Sequence, residues 1–281
     1  MKIVKKINVM QNLVKGFKKR GKSVGFVPTM GALHDGHICL IKKARRENDI
    51  VVVSIFVNPT QFGPKEDYKK YPRNLKRDAQ LCDRAGADMI FAPDAEEMYP
   101  PGRCKYTEVK GFLSHTLEGK SRPGHFRGVA TIVAKLFDAV RPDLAYFGEK
   151  DYQQFLVVTR VVENEGLPVG IVPCPTVREK GGLAMSSRNA YLAPEERKKA
   201  LVINRALREG VKKARNKKGT QARRIEGIIK EFIKKEAGIK IEYVAVRDAK
   251  TLKPVKDTKK VCVILTAVKI GKTRLIDNMK I

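Results

Sequence analysis

The run Ile50-Val51-Val52-Val53-Ser54-Ile55-Phe56-Val57 constrains this chain more than any other stretch. It is apolar, rich in β-branched residues and almost without polar alternation. Such a run reads as a strand buried on both faces, the state of a strand inside a parallel sheet. Parallel neighbours need crossover helices, and the preceding residues have helical spacing: Ile38, Leu40, Ile41 and Ala44 lead up to Glu47. Before them Ser23-Val24-Gly25-Phe26-Val27 reads as another short buried strand, ended by Pro28. Strand, helix and strand in alternation give an α/β class with a doubly wound parallel sheet, whose ligands bind beyond the carboxyl ends of the strands.

The remaining chain fits that frame. Residues 1–21 read as a starting strand and an amphipathic helix carrying Val9, Leu13, Val14 and Phe17, closed near Gly21. A helix over Asn74–Ala85 leads into a strand at Asp88–Ala92. A second helix, Gly128–Val140, places Val129, Ile132, Val133, Leu136 and Phe137 on one face, and strands at Leu144–Phe147 and Val169–Val172 follow. Pro173-Cys174-Pro175 stiffens the exit, and a boundary is expected near Thr176. The expected division is a Rossmann-like domain, 1–176, and a smaller α+β domain, 177–281. The second would hold a long helix from Pro194, a helix over Ala222–Glu236, strands Ile241–Val246 and Val261–Val268, and a shorter strand near Arg274–Ile276.

Composition excludes several function classes. With 42% hydrophobic and 31% charged residues the chain is globular. Its longest apolar runs, Ile50–Val57 and Val261–Val268, are strand-sized and far short of a membrane span. Lys2, Lys5 and Lys6 precede no apolar segment of the kind a secretory signal needs, so a cytoplasmic location is expected. Lysine and arginine total 58 against 30 acidic residues, a net charge of +28, which by itself suggests a nucleic-acid binder. The distribution opposes that reading. Lys18-Lys19-Arg20, Lys212-Lys213, Lys217-Lys218 and Lys234-Lys235 crowd surface-looking positions with no aromatic platform between them. Neither nucleic acid nor membrane is expected as a partner, and part of the excess charge serves to steer anionic substrates. Five scattered cysteines (Cys39, Cys82, Cys104, Cys174, Cys262) without a CxxC pair are expected to be free buried thiols, Cys39 packing in the helix core.

The chemistry concentrates where strands end. His34-Asp35-Gly36-His37 follows Val27-Pro28-Thr29-Met30-Gly31 at a handover from strand to helix N-terminus. Free N–H groups and the positive end of the helix dipole favour an anion there, and two imidazoles three residues apart can hydrogen-bond a phosphate. The alternatives are a zinc half-site or two surface histidines. Gly36 fits a close backbone approach better than a metal clamp, and no Cys or Glu lies at ligand spacing beside the pair. Asn58-Pro59-Thr60-Gln61-Phe62 follows the next strand, and its two amides suit a hydroxylated, carboxylated small molecule. For Asn58 the alternative is a turn capped by its own side chain. Gly148-Glu149-Lys150-Asp151 sits at a third carboxyl end, Gly148 allowing close approach and Lys150 supplying a cation; alone, such a tetrad would be a solvated turn. Met185-Ser186-Ser187-Arg188 offers hydroxyls, N–H groups and a guanidinium after a Gly181-Gly182 pair suited to a closing lid.

Taken in order, VPTMGALHDGH, SIFVNPTQF, YPR, SRPGHFRGV, FGEKDYQQ and MSSRN resemble the pantoate–β-alanine ligase family of the HxGH nucleotidyltransferase superfamily, which also includes class I aminoacyl-tRNA synthetases. The match runs from Gly25 to Asn278. It implies an ATP-dependent ligase that condenses pantoate with β-alanine to pantothenate through a pantoyl adenylate, releasing AMP and pyrophosphate, with Mg2+ accompanying ATP and a homodimer as the assembly. The resemblance makes His34 and His37 catalytic. It assigns Met30, Gly31, His34, Gly36, His37, Gly148, Glu149, Lys150, Asp151, Val177, Met185, Ser186, Ser187 and Arg188 to ATP. Gln61, Gln154, Asn58, Met30 and Tyr71 fall to pantoate and β-alanine, with Gln154 facing pantoate across from Gln61. Glu118, Arg122 and His125 lie in a segment that resembles the family's substrate-side loop, where Arg122 and His125 either order the site or cap the following helix. A paired carboxylate in the family helps hold Mg2+; here the pair is Arg77-Asp78, so Asp78 alone matches and a solvated helix face is its alternative. The superfamily's second lysine is missing from the serine loop, with Arg188 as the replacement cation. His37 is implied to donate a proton, and acid catalysis and charge stabilisation both stay open. A second reading keeps the fold and makes the chain a nucleotidyltransferase that leaves AMP on its product.

Overall fold

The computed structural model describes residues 1–64, 66–102, 105–216 and 219–281. Cys104 and the Lys217-Lys218 pair therefore lie outside the described residues. Chain contacts divide the molecule into two compact units, the first made of Met1–Glu149 and Gln153–Pro175, the second of Lys150–Tyr152 and Thr176–Ile281.

The first unit is built on a parallel sheet of six strands: β1 (Lys2–Val4), β2 (Val24–Thr29), β3 (Ile50–Ile55), β4 (Met89–Phe91), β5 (Leu144–Gly148) and β6 (Gly170–Cys174), in the order β1-β4-β3-β2-β5-β6. Consecutive residues face opposite layers, as a strand's period of two demands. Val24, Phe26, Val52, Met89, Phe91, Ala145 and Phe147 pack on one face against helices α1 (Ile7–Lys19) and, further along the chain, His125–Val140. Val27, Val51, Val53, Ile90 and Tyr146 pack on the other against α2 (Asp35–Glu47) and α3 (Leu75–Ala85). The apolar run at Ile50 is thus buried on both faces. The helix over His125–Val140 is α4, and α5 (Tyr152–Glu165) joins β5 to β6. Strand order reverses between β2 and β5, which makes their carboxyl ends a topological switch point, the place where open α/β sheets bind ligands.

The second unit packs α6 (Pro194–Asn216) and α7 (Ala222–Lys234) on an antiparallel sheet of β7 (Ile239–Asp248), β8 (Cys262–Ile270) and β9 (Thr273–Lys280). No helix of the described residues is long and apolar enough to cross a membrane.

Several local expectations need correction. On α1 the buried face is carried by Met10 and Val14, while Val9 is 41% exposed. Cys39 is exposed because the buried stripe of α2 is Leu40, Ile41 and Ala44, and Cys39 falls off it. Cys82, Cys174 and Cys262 are free and buried. Burial pushes the Cys82 thiol up to about 12 and Cys174 up to about 11, so both stay protonated and unreactive. Helix α4 starts at His125, earlier than Gly128, with Gly124 at a φ of 81° as its cap. Strand β9 is longer than the segment around Arg274–Ile276, because its buried polar residues Asp277 and Asn278 hide the apolar alternation. Lys150–Tyr152 groups with the second unit for specific reasons: Tyr152 Oη donates to Ala249 O at 2.9 Å, and Lys280 Nζ lies 5.5 Å from the Tyr152 ring centre.

Candidate active site

Beyond the end of β2 the backbone is forced through an unusual path. Gly31 has φ of 79°, and a Cβ there would come within 2.9 Å of Asp78 Oδ2. Ala32 also sits in the left-handed region, at φ of 50°, which costs a residue with a side chain roughly 1–2 kcal/mol. Asp78, on α3, offsets this: Oδ2 accepts the Ala32 N–H and Oδ1 the Leu33 N–H, both at 2.9 Å. Arg77 completes the grip by donating to Leu33 O at 3.2 Å. Asp78 is only 1% exposed, so the solvated-face alternative is wrong. Its two oxygens serve the turn that presents the histidines.

His34 caps α2 and His37 occupies the third position of its first turn. Their ring centres are 4.1 Å apart with planes inclined by 34°, a near-stack. The His34 N–H donates to His37 Nδ1 at 3.3 Å. An imidazole nitrogen that accepts carries no proton, so the His37 ring proton is on Nε2, which becomes the donor. Gly36 is half-buried between them in that first turn.

The next strand end builds a second cluster. Gln61 Nε2 donates to Met30 Sδ at 2.9 Å, while its Oε1 accepts from Asn58 Nδ2 at 3.1 Å. Asn58, 1% exposed, is fully engaged: its amide also donates to Gly128 O, and its Oδ1 accepts from Thr60 Oγ1 and Tyr99 Oη. Asn58 therefore caps its own turn and fixes which way the Gln61 amide points, leaving no donor of its own for a ligand. Tyr71 is buried, its ring edge-on to Phe62 at 6.0 Å. Gln154 is half-buried at the start of α5, and among the described residues no hydrogen bond joins it to Gln61.

Arg122 and His125 act on the same turn. The His125 Nδ1–H donates to Gln61 O at 2.8 Å, and Arg122 Nη1 donates to His125 Nε2 at 2.9 Å. Arg122 also makes a bidentate pair with Glu66, at 2.7 and 2.6 Å. Burial, reinforced by the Arg122 charge, lowers His125 to about 4, so it is neutral at physiological pH. Burial alone would raise the Glu66 carboxyl, but the hydrogen bonds and charge of Arg122 hold it below its ordinary range. Glu118 is buried, and its N–H donates to Gln153 Oε1 at 3.1 Å.

In the second unit Lys150 is half-buried, its Nζ 3.4 Å from Asp151. The Met185 N–H donates to Val177 O at 3.0 Å, closing a hairpin. Ser186 caps a 3-10 turn over Ser187–Tyr191, its Oγ accepting the Arg188 N–H at 3.3 Å. Gly181 and Gly182 form the hairpin's tip, at φ of 105° and 101°, where a hydrogen bond from Gly182 N to Glu179 O at 2.8 Å fixes the turn. In the first unit, β5 ends at Gly148, with open space where a Gly148 Cβ would stand, and Glu149 begins the 3-10 turn that follows.

Residues the motifs did not single out do much of this positioning. Gln153, beside Gln154 and equal to it by composition, donates to Leu113 O and Thr116 O. Glu66, Tyr99, Arg178, Asp277 and Asn278 carried no motif signal, because a polar residue in a loop or strand reveals its partner only in the fold.

A parallel sheet that presents two imidazoles at a helix N-terminus beside its switch point has the architecture of a doubly wound α/β enzyme. The model of the family described as "Pantoate-beta-alanine ligase" matches residues 2–280, and the chain belongs to that family. It is 52% identical to a pantothenate synthetase of Aquifex aeolicus and 50% identical to one of Moorella thermoacetica, each alignment covering 99% of this chain and 98% of the relative. A crystal structure of pantothenate synthetase from Thermus thermophilus superposes with a TM-score of 0.93 at 46% identity, over 99% of both chains. A pantoate-beta-alanine ligase from Francisella tularensis, complexed with "Beta-gamma ATP and Beta-alanine", superposes at 0.81 with 38% identity over 99% of this chain and 97% of that one.

Proposed function

We propose that this chain joins pantoate to β-alanine in two steps, through an acyl adenylate. A carboxylate is a poor electrophile because its leaving oxygen is strongly basic. In the first step a pantoate carboxylate oxygen attacks the α-phosphorus of ATP, the bond to the α–β bridging oxygen breaks, and pyrophosphate leaves. In the second the β-alanine amine attacks the acyl carbon, the bond to the phosphate-bearing oxygen breaks, AMP leaves, and the amine gives up a proton to solvent. Neither step needs a protein nucleophile. The protein aligns the carboxylate with the α-phosphorus and stabilises charge on the phosphate oxygens.

The observation that carries this reading is the His34–His37 pair, with His37 Nδ1 occupied by a backbone N–H so that Nε2–H is the donor. A fixed neutral donor at a helix N-terminus suits a phosphate that gains charge in the transition state. Lys150, Ser186, Ser187 and Arg188 are assigned to the other phosphate oxygens. Gln61, its amide set by Asn58 so that the nitrogen end faces Met30, is assigned to the pantoate oxygens, with Gln154 as a second amide. The Francisella tularensis relative's complex supports ATP and β-alanine as two of the three substrates. Both Asp78 oxygens are engaged by backbone N–H groups, and no group of three or more His, Cys, Asp or Glu among the described residues fits a protein-held metal. Mg2+ is accordingly read as part of the substrate, MgATP.

Incubation with ATP and pantoate alone should release pyrophosphate in an amount matching the enzyme, and added β-alanine should then release free AMP. AMP that stays joined to the product would favour the nucleotidyltransferase reading instead.

A further inference from the structure

The second half of strand β9 carries two adjacent buried polar residues, Asp277 and Asn278, 4% and 7% exposed. Asp277 holds Arg178 in a bidentate pair, Nη1 to Oδ2 at 2.7 Å and Nη2 to Oδ1 at 3.0 Å. The same guanidinium donates to Gly182 O at 3.0 Å and to Asn278 O at 3.3 Å. Arg178 thereby ties the strand to a hairpin in which it bridges Ala184, and which leads directly into Met185–Arg188. Asn189, just beyond, is fastened to the same hairpin through Ala184 O and Glu179, which also takes Arg197. On the neighbouring position of β9, Asn278 Nδ2 donates to Lys150 O at 2.8 Å.

Two segments far apart in the chain are thus fixed by consecutive residues of one strand. A strand sets the spacing of adjacent residues rigidly, and a bidentate pair fixes direction as well as distance. A buried ion pair is a weak source of stability compared with apolar packing, yet it specifies geometry. We propose that Asp277 and Asn278 are positioning residues for ATP: they set the Lys150 turn and, through Arg178, the Met185–Arg188 segment in a fixed relation. The inference rests on the assignment of Lys150 and Arg188 to the nucleotide. Both act through the residues they hold, not by touching substrate.

The test is steady-state kinetics on Asn278→Ala and Asn278→Asp beside Lys150→Ala and Arg188→Ala. Loss of one hydrogen bond that orients a binding group should raise the KM for ATP about tenfold, with the KM for pantoate within about twofold. Asn278→Asp, the same size but with an acceptor facing the Lys150 carbonyl, should do more damage than Asn278→Ala. A merely structural role would instead move both KM values together with the melting temperature, and that result, or unchanged ATP kinetics, overturns the proposal. If Lys150→Ala and Arg188→Ala leave the KM for ATP unchanged, the nucleotide assignment itself falls; if they raise it and the Asn278 variants do not, only the positioning role falls. Should the Asn278 variants fail to fold, Arg178→Lys carries the same comparison, since it keeps the charge but loses the bidentate fork.

Discussion

His37 accepts a hydrogen bond from the backbone one turn behind it, and that single contact decides what the ring can do. With Nδ1 occupied, Nε2–H is the one hydrogen-bond donor of the neutral ring, and removing it should be felt in the chemistry rather than in folding. His37→Ala should lower the rate of pyrophosphate release by about 10²–10³, the scale for one oxyanion donor, with little change in melting temperature. Near-normal release would remove the imidazole from the mechanism. His125 makes a separate prediction. Its ordinary value of 6.5 falls to about 4 in the fold, so the unfolded chain binds its proton more readily. The stability it contributes is complete above about pH 6.5 and is lost as pH falls through about 4, up to roughly 3 kcal/mol. Glu66, also held below its ordinary range, acts in the same direction at more acidic pH. Arg122, Glu66 and Glu118 are the charged groups acting on the ring. His125→Asn keeps a donor for Gln61 O and cannot titrate, so melting temperatures between pH 7.5 and 4.5 should fall less steeply than in the parent; an unchanged slope would contradict this. The histidine pair is legible in the sequence because its spacing has a mechanism. The burial of Asp78 is not, because only the fold brings Ala32 and Leu33 to its carboxylate.

At the scale of elements, apolar periodicity finds every strand of the larger sheet and misses mainly where polar residues are buried or turns need special backbone. Strand β9 reads short in the sequence because Asp277 and Asn278 interrupt its pattern, and α4 reads late because Gly124 supplies an unusual cap. The Gly181-Gly182 pair reads as lid flexibility, whereas both lie at positive φ in a hydrogen-bonded turn. A Cβ on Gly182 would stand 2.6 Å from Asn204 Oδ1. Gly182→Ala should therefore destabilise the second unit by about 1–3 kcal/mol. Gly227→Ala is the matched control: it lies inside α7 with nothing within 4 Å of the new Cβ, and should stabilise by about 0.5–1 kcal/mol. Denaturant midpoints for the pair check both signs, and a neutral Gly182→Ala would mean the turn is not fixed as described.

For the whole molecule, the doubly wound architecture follows from one buried run and its flanking helices, and the position of the switch point follows from strand order. The assignment of Lys150–Tyr152 to the second unit could not be read from sequence, since it depends on Tyr152 reaching Ala249 and on Asn278 reaching Lys150. The net charge of +28, taken alone, suggests nucleic acid; the six ordered motifs point instead to a small-molecule enzyme, and three of them, VPTMGALHDGH, SIFVNPTQF and FGEKDYQQ, run off the carboxyl ends of β2, β3 and β5. The proposed adenylate route requires a pantoate oxygen to become a phosphate oxygen before the amide bond forms. Pantoate labelled with 18O in its carboxylate, turned over with ATP and β-alanine, tests this by mass spectrometry of the nucleotide product. One labelled oxygen per AMP is the predicted result; AMP carrying no label would contradict the adenylate and the role given to the paired imidazoles.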